Sequence, residues 1–213
     1  MSPAPLLSVQ DLKVHFDITR TGLFGGPRAV VKAVDGVTFD LRPGETLGLV
    51  GESGCGKSTL GRAVLRLLPA THGRVVWLGE DLHALDHAAM QQKRRHMQII
   101  FQDPLASLNP RMTVGQIIAE PLTTFNPQMS GGEVKDRVRQ MMAKVGLLPN
   151  QINRYPHEFS GGQRQRIGIA RALALEPEIL VADEPVSALD VSVQAQVLAL
   201  LADIRRRLGL TML

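Results

Sequence analysis

A single cysteine, Cys55, in 213 residues excludes an internal disulfide, and a chain without that staple suits a reducing compartment. Aromatic residues make up only 4%, so the core must be built mainly from aliphatic side chains. No stretch approaches the roughly 18 consecutive apolar residues of a membrane helix, which leaves any membrane contact to a partner. The opening residues, MSPAPLLSVQDLKVHF, lack a basic leader and break their short apolar run at Gln10 and Asp11, unlike a secretory signal. Internal repeats and low-complexity segments are absent as well. The net charge is only +4, with its basic residues scattered, which argues against nucleic acid as a partner. With 44% hydrophobic and 21% charged residues the chain is globular, and its length suits one domain or one domain with a sizeable insertion.

What is present reads as an α/β chain. SVQDLKVHF and VKAVDGVTFDL have strand character on either side of a Gly-rich loop, TGLFGGPR, an antiparallel opening. ETLGLV is a short apolar strand running into GESGCGKST, and LGRAVLRLL has helical spacing up to Pro69. GRVVWLGEDL and MQIIF are further strand candidates. After residue 102 the texture changes: Pro104, Pro110, Pro121, Pro127 and Pro149 break up helical pieces, of which GEVKDRVRQMMAKVGLL is the longest. The expected organisation is an N-terminal β part and core over 1–102, a helical insertion over 103–159, and over 160–213 a helix from Ser160, the strand EILVAD and a helix from about Ser192 ending at Gly209.

The segment Gly51–Ser58 fits G-x-x-x-x-G-K-[ST] between an expected strand and an expected helix, the context a phosphate-binding P-loop requires. Its glycines, Gly51, Gly54 and Gly56, let backbone N–H groups turn inward around phosphate oxygens with Ser53, Cys55 and Thr59 on the same loop, and the helix start adds its dipole. Lys57 would reach the β- and γ-phosphates and Ser58 would place its hydroxyl on Mg²⁺. Cys55 occupies a variable position of the motif and reads as incidental. At the end of ILVADE, Asp183 is placed to hold Mg²⁺ and Glu184 to polarise an attacking water; the plainer reading is that both acids cap a strand.

Ser160-Gly161-Gly162-Gln163 opens a helix and is also S-x-x-Q, a capping box. The chain carries its own control in Ser130-Gly-Gly-Glu133, which starts another helix with nothing else suggesting chemistry. Capping alone is therefore sufficient for SGG, and what separates the two copies is context: only the second continues into Arg164 and Arg166 and precedes the acidic strand.

Taken in order, GESGCGKST, IIFQDP, FSGGQRQRIGIARAL, ILVADEP and SALD resemble the nucleotide-binding subunit of ABC transporters over nearly the whole chain. The wording around the P-loop and after the acidic strand is similar to the dipeptide and oligopeptide importer branch. The resemblance implies a P-loop core with a mainly parallel sheet, ATP and Mg²⁺ as cofactors, and two ATPase subunits paired head to tail. Ser160, Gly161, Gly162 and Gln163 of one subunit would then meet the γ-phosphate held by the other, which explains an anion-seeking helix start with no phosphate-gripping lysine beside it. It further implies that Gln102 senses Mg²⁺ or water and faces a membrane-embedded permease. Asp190 would contact the partner subunit, and Phe16 would stack on adenine, against the alternative of a core Phe. The partners implied are a second ATPase subunit, permease subunits and, indirectly, an extracytoplasmic solute-binding protein, with the chain peripheral on the cytoplasmic face.

The family also carries a histidine shortly beyond the last helix. The sequence ends with LGLTML, and none of His15, His72, His83, His87, His96 or His157 lies in that place, so this chain is expected to bind Mg-ATP weakly and to hydrolyse it slowly. A nucleotide-binding module without hydrolysis is accordingly one alternative. An ABC-type DNA repair or chromosome ATPase is another, disfavoured because residues 103–159 contain neither heptads nor paired cysteines.

Overall fold

A computed structural model describes residues 4–18 and 29–213; the Gly-rich loop at 21–28 lies outside them. The chain divides into two compact units, one ending at Arg94 and one running from Arg95 to Met212.

The first unit is built on a four-stranded antiparallel sheet with the order β2-β1-β3-β4. Strand β1 (Leu7–Ile18) buries Leu7 and Val9 and, after an irregularity between Val9 and Leu12 that shifts the alternation by one residue, Leu12 and Val14, so that the same face stays covered. It pairs with β2 (Ala29–Leu41) and, on its other edge, with β3 (His72–Trp77), whose hairpin partner β4 (Glu80–Asp81) follows directly. Helix α1 (Lys57–Val64) buries Leu60, Ala63 and Val64. It stops short of Pro69, because Arg66 takes a left-handed φ of 51° and sends its guanidinium to the carbonyls of Leu82 and Leu85. Helix α2 (His87–Arg94) closes the unit.

The expected strand ETLGLV is a correction. Only Thr46 makes an isolated bridge and residues 47–50 are irregular, with Val50 93% exposed. An apolar run states a preference for burial and becomes a strand only where a neighbouring strand pairs along it, and among the described residues the pairing stops at Thr46.

The second unit holds the parallel sheet expected from the sequence. Strands β5 (Met97–Ile100), β6 (Ile179–Ala182) and β7 (Thr211–Met212) lie in the order β5-β6-β7. Helices α3 (Pro104–Ser107), α4 (Val114–Phe125), α5 (Gly131–Lys144), α6 (Gly161–Leu173) and α7 (Val191–Leu208) pack with this sheet around one aliphatic core that includes Ile117, Ile118, Met142, Ile167, Ile169 and Leu180. Helices α3, α4 and α5 fall between residues 103 and 159, and Pro121 lies inside α4 without breaking it. A capping box at Thr113 and the buried face Val114, Ile117, Ile118 and Leu122 outweigh the one hydrogen bond that proline removes. Helix α7 ends where Gly209 turns left-handed.

Candidate ATP-binding and hydrolysis site

The loop 51–56 and the start of α1 form one element of the site, in the first unit. Gly56 has φ 98°, and a Cβ there would come 2.0 Å from the Ala33 carbonyl oxygen, so only glycine allows the loop to lie against β2. Side chains cap the starts of α3, α4, α5, α6 and α7 through Asp103, Thr113, Ser130, Ser160 and Asp190, whereas Gly56 brings no side-chain cap to α1. Lys57 folds back over the loop, its Nζ donating to the carbonyls of Gly51 (2.9 Å) and Glu52 (2.8 Å). Ser53, Gly54 and the exposed Cys55 are at the surface, and Ser58 and Thr59 are half-buried. Phe16, paired in register with Val31, is 42% exposed, so the alternative of a core Phe does not hold.

The second element sits at the carboxyl end of β6. Asp183 extends the parallel ladder, its amide donating to the Ile100 carbonyl, and its side chain is buried at 6% exposure. The next residue, Glu184, is held at φ 42°, a left-handed conformation that costs a non-glycine residue on the order of 1 kcal/mol or more and concentrates at functional sites. The Ser187 hydroxyl and amide both donate to the Glu184 carbonyl and fix this turn. Gln102, just beyond β5, donates from Nε2 to Glu184 Oε2 at 2.9 Å and to Ser187 Oγ at 3.4 Å. The structure thus brings together Gln102 and Glu184, which are 82 residues apart in the chain, because β5 and β6 are adjacent parallel strands ending at the same level.

Both SGG segments are capping boxes. Ser130 and Ser160 each accept from the amide three residues on, and Glu133 and Gln163 reciprocate. Two differences separate them. The α5 box places a charged carboxylate, Glu133, on the Ser130 amide and hydroxyl, contacts that hold its carboxyl below the ordinary value; an approaching phosphate would meet a negative charge. The α6 box uses the neutral amide of Gln163, so the dipole there is uncompensated. In addition, a Cβ at Gly162 would come 2.4 Å from Val193 Cγ1 and one at Gly161 3.4 Å from Leu189, whereas Gly131 has open space. Gly162→Ala is therefore expected to destabilise the fold by about 1–3 kcal/mol, because Val193 is β-branched and stiff. Gly131→Ala should leave stability unchanged or raise it slightly. Urea denaturation of the two variants reads the contrast directly.

Three further placements qualify the sequence reading. Arg164 and Arg166 each commit a donor to a main-chain carbonyl: Arg164 Nε donates to that of Phe159, and Arg166 Nη1 to that of Val145. Asp190 caps α7, and the Ser192 hydroxyl together with the Val193 amide holds its carboxyl below the ordinary value. Sequence reasoning did not single out Arg171, whose Nη1 donates to the Ser107 carbonyl at 2.7 Å; nothing in an ordinary helical arginine signals such a contact.

No helix among the described residues is long and apolar enough to cross a membrane. The model of the ABC transporter family matches residues 34–187. The chain is 62% identical over 209 residues to the oligopeptide transport ATP-binding protein OppF of Salmonella typhimurium, covering 98% of this chain and 63% of that protein. To OppF of Bacillus subtilis it is 54% identical over 209 residues, covering 98% and 66%. The chain thus spans about two thirds of the length of these curated relatives. Among solved structures it is similar to the ATP-binding cassette MJ0796, as a dimer in a post-hydrolysis state bound to ADP and Pi, with a TM-score of 0.83 and 28% identity over 97% of this chain and 85% of that one. The match over residues 34–187, together with the identity to these curated relatives, shows the family: the chain belongs to the ABC transporters.

Proposed function

We propose that the chain is the ATP-binding and ATP-hydrolysing part of an importer for peptides, acting at the cytoplasmic face of a membrane beside permease subunits. The names of its relatives support the cargo class. Residues 51–59 would hold the phosphates of ATP, with Phe16, at the surface of β1, stacking on the adenine. Ser58 in the first unit and Asp183 in the second are each oxygen donors of the kind Mg²⁺ takes, a hard cation that needs few protein ligands when phosphates supply the rest. Mg²⁺, when bound, neutralises charge on the β- and γ-phosphates. Glu184 polarises the attacking water, and Gln102, already hydrogen-bonded to its carboxylate, orients that water and reports to the permease. Asp190 stands on the segment that meets the second subunit.

The observation that carries the two-subunit reading is the neutral start of α6. Gln163 closes its cap without a charge, as Gln116 does at α4, where Glu133 closes that of α5 with one, so of the two Ser-Gly-Gly starts that of α6 is the one whose dipole is left for a phosphate brought by another ATPase subunit. The dimeric form of the solved relative is consistent with this arrangement. Ser160→Ala is expected to weaken Mg-ATP-driven association by about tenfold or more, since it loosens the amides that meet the phosphate. Ser130→Ala should cost only about 1 kcal/mol of helix capping. Sedimentation of both variants with Mg-ATP tests this, and equal association would reduce the Ser160 segment to a cap.

A further inference from the structure

The segment after Gln102 is held in an unusual way. Asp103 caps α3 by accepting from the amides of Leu105 and Ala106, and Ser107 closes the turn with its amide on the Asp103 carbonyl and its hydroxyl on that of Pro104. The last carbonyl of this turn, that of Ser107, is gripped by Arg171 Nη1 at 2.7 Å. Arg171 projects from α6, the helix whose first turn is the Ser160 capping box, eleven residues back, or roughly 16 Å along a rigid helix axis.

This arginine lines one side of a cavity of about 300 Å³ whose other walls include Phe101, Glu120, Pro121 and Phe125. Partial burial pushes its guanidinium below the ordinary arginine value, and the Glu120 carboxylate opposes that shift. A charge is thus kept in a poorly solvated place, donating to the main-chain carbonyl of Ser107. A solvated helix face would not need it there, because surface arginines gain little from one such bond. What the contact does is join two segments distant in sequence: α6, which starts at the phosphate-seeking end, and the turn that follows Gln102.

We infer that Arg171 is a positioning residue that fastens the Gln102 loop to α6, so that displacement of the Ser160 end of α6 is passed to the Gln102–Glu184 pair. The inference rests on the ATPase reading above for its consequence, but the clamp itself is a property of this chain alone. Force enters at the first turn of α6 when a phosphate engages it, travels along the helix as a rigid body, and leaves through Arg171 to the α3 turn. Gln102 adjoins that turn, and its Nε2 lies 2.9 Å from the Glu184 carboxylate. A shift of the turn by a fraction of an ångström makes or breaks that hydrogen bond, given how steeply such bonds weaken with geometry.

The test compares Arg171→Met, which keeps much of the volume but no donor, with Arg171→Lys, which keeps one. Amide hydrogen exchange at Leu105 and Ala106, measured without nucleotide, should quicken about tenfold in Arg171→Met and stay within about threefold in Arg171→Lys. Steady-state hydrolysis should show kcat lowered about tenfold in Arg171→Met with KM for Mg-ATP within about twofold, and most of kcat recovered in Arg171→Lys. Asp103→Ala loosens the same turn by another route, so combining it with Arg171→Met should lower kcat no further than the larger single effect. If Arg171→Met fails to fold, Arg171→Lys and Asp103→Ala carry the comparison through exchange and kcat alone. Unchanged exchange at Leu105 and Ala106, or quickened exchange with kcat unmoved, would overturn the inference. Absence of hydrolysis in the unsubstituted protein would instead overturn the functional reading, while the exchange rates still decide the clamp.

Discussion

Glu184→Gln is expected to leave Mg-ATP bound and to lower turnover by at least about 10²-fold, the usual contribution of a positioned general base. The structure makes this substitution a clean one. Gln102 Nε2 donates to Glu184 Oε2, and a glutamine carbonyl oxygen accepts that bond equally well. The turn set by Ser187 uses the main chain of residue 184 and is untouched. Glutamine also bears the left-handed φ of 42° no better and no worse than glutamate. What disappears is the negative charge at the tip of β6, so a fall in rate cannot be assigned to a damaged fold. Phosphate release measured beside nucleotide affinity checks it. A variant that binds Mg-ATP and turns it over at the unsubstituted rate removes Glu184 from the chemistry.

Lys57→Ala should weaken Mg-ATP binding by about 10²-fold or more, because charge-assisted hydrogen bonds to phosphate are worth about 1.5–3 kcal/mol each and 1.4 kcal/mol is a factor of ten. In the structure the ammonium bridges the carbonyls of Gly51 and Glu52, which holds the loop closed over the place where phosphates would sit. Binding exchanges neutral carbonyl acceptors for anionic ones, and this difference drives it. The bridging carbonyls are exposed to water, so their release in the variant should change stability by less than about 0.5 kcal/mol. Calorimetric titration with Mg-ATP distinguishes the outcomes, and an unchanged affinity would dissociate residues 51–59 from phosphate binding.

Much of this was legible in the sequence because the signals are local. Alternation marked β1, the glycine spacing of 51–56 marked the loop before α1, and S-x-x-[EQ] marked the starts of both α5 and α6. The strand expected at ETLGLV failed for the complementary reason. An apolar run states that it prefers burial but not which neighbour will bury it, and residues 47–50 remain irregular. Pro121 misled in the same way, since a breaker's effect depends on the packing set against it, and the buried face of α4 prevails. Arg164 and Arg166 drew attention as cations beside a glycine motif, yet each also fastens its helix through a bond to a carbonyl, of Phe159 and of Val145, that no periodicity predicts. The Gln102–Glu184 contact and the left-handed Glu184 are likewise products of strand adjacency, visible only once β5 and β6 are paired.

The central claim, that the loop before α1 of one subunit and the start of α6 of another meet on one ATP, is tested most directly by mixing two defective variants. Lys57→Ala keeps an intact α6 start but, about 10²-fold weaker for Mg-ATP, stays empty at a concentration that fills the unsubstituted site, and Ser160→Ala holds ATP but offers a weakened α6 start. With Mg-ATP, neither should associate appreciably alone, whereas an equimolar mixture should form a mixed dimer in sedimentation velocity, since pairing the two chains restores one complete site. A mixture that sediments as the sum of its separate components, while Ser160→Ala still binds Mg-ATP by calorimetry, would contradict the account.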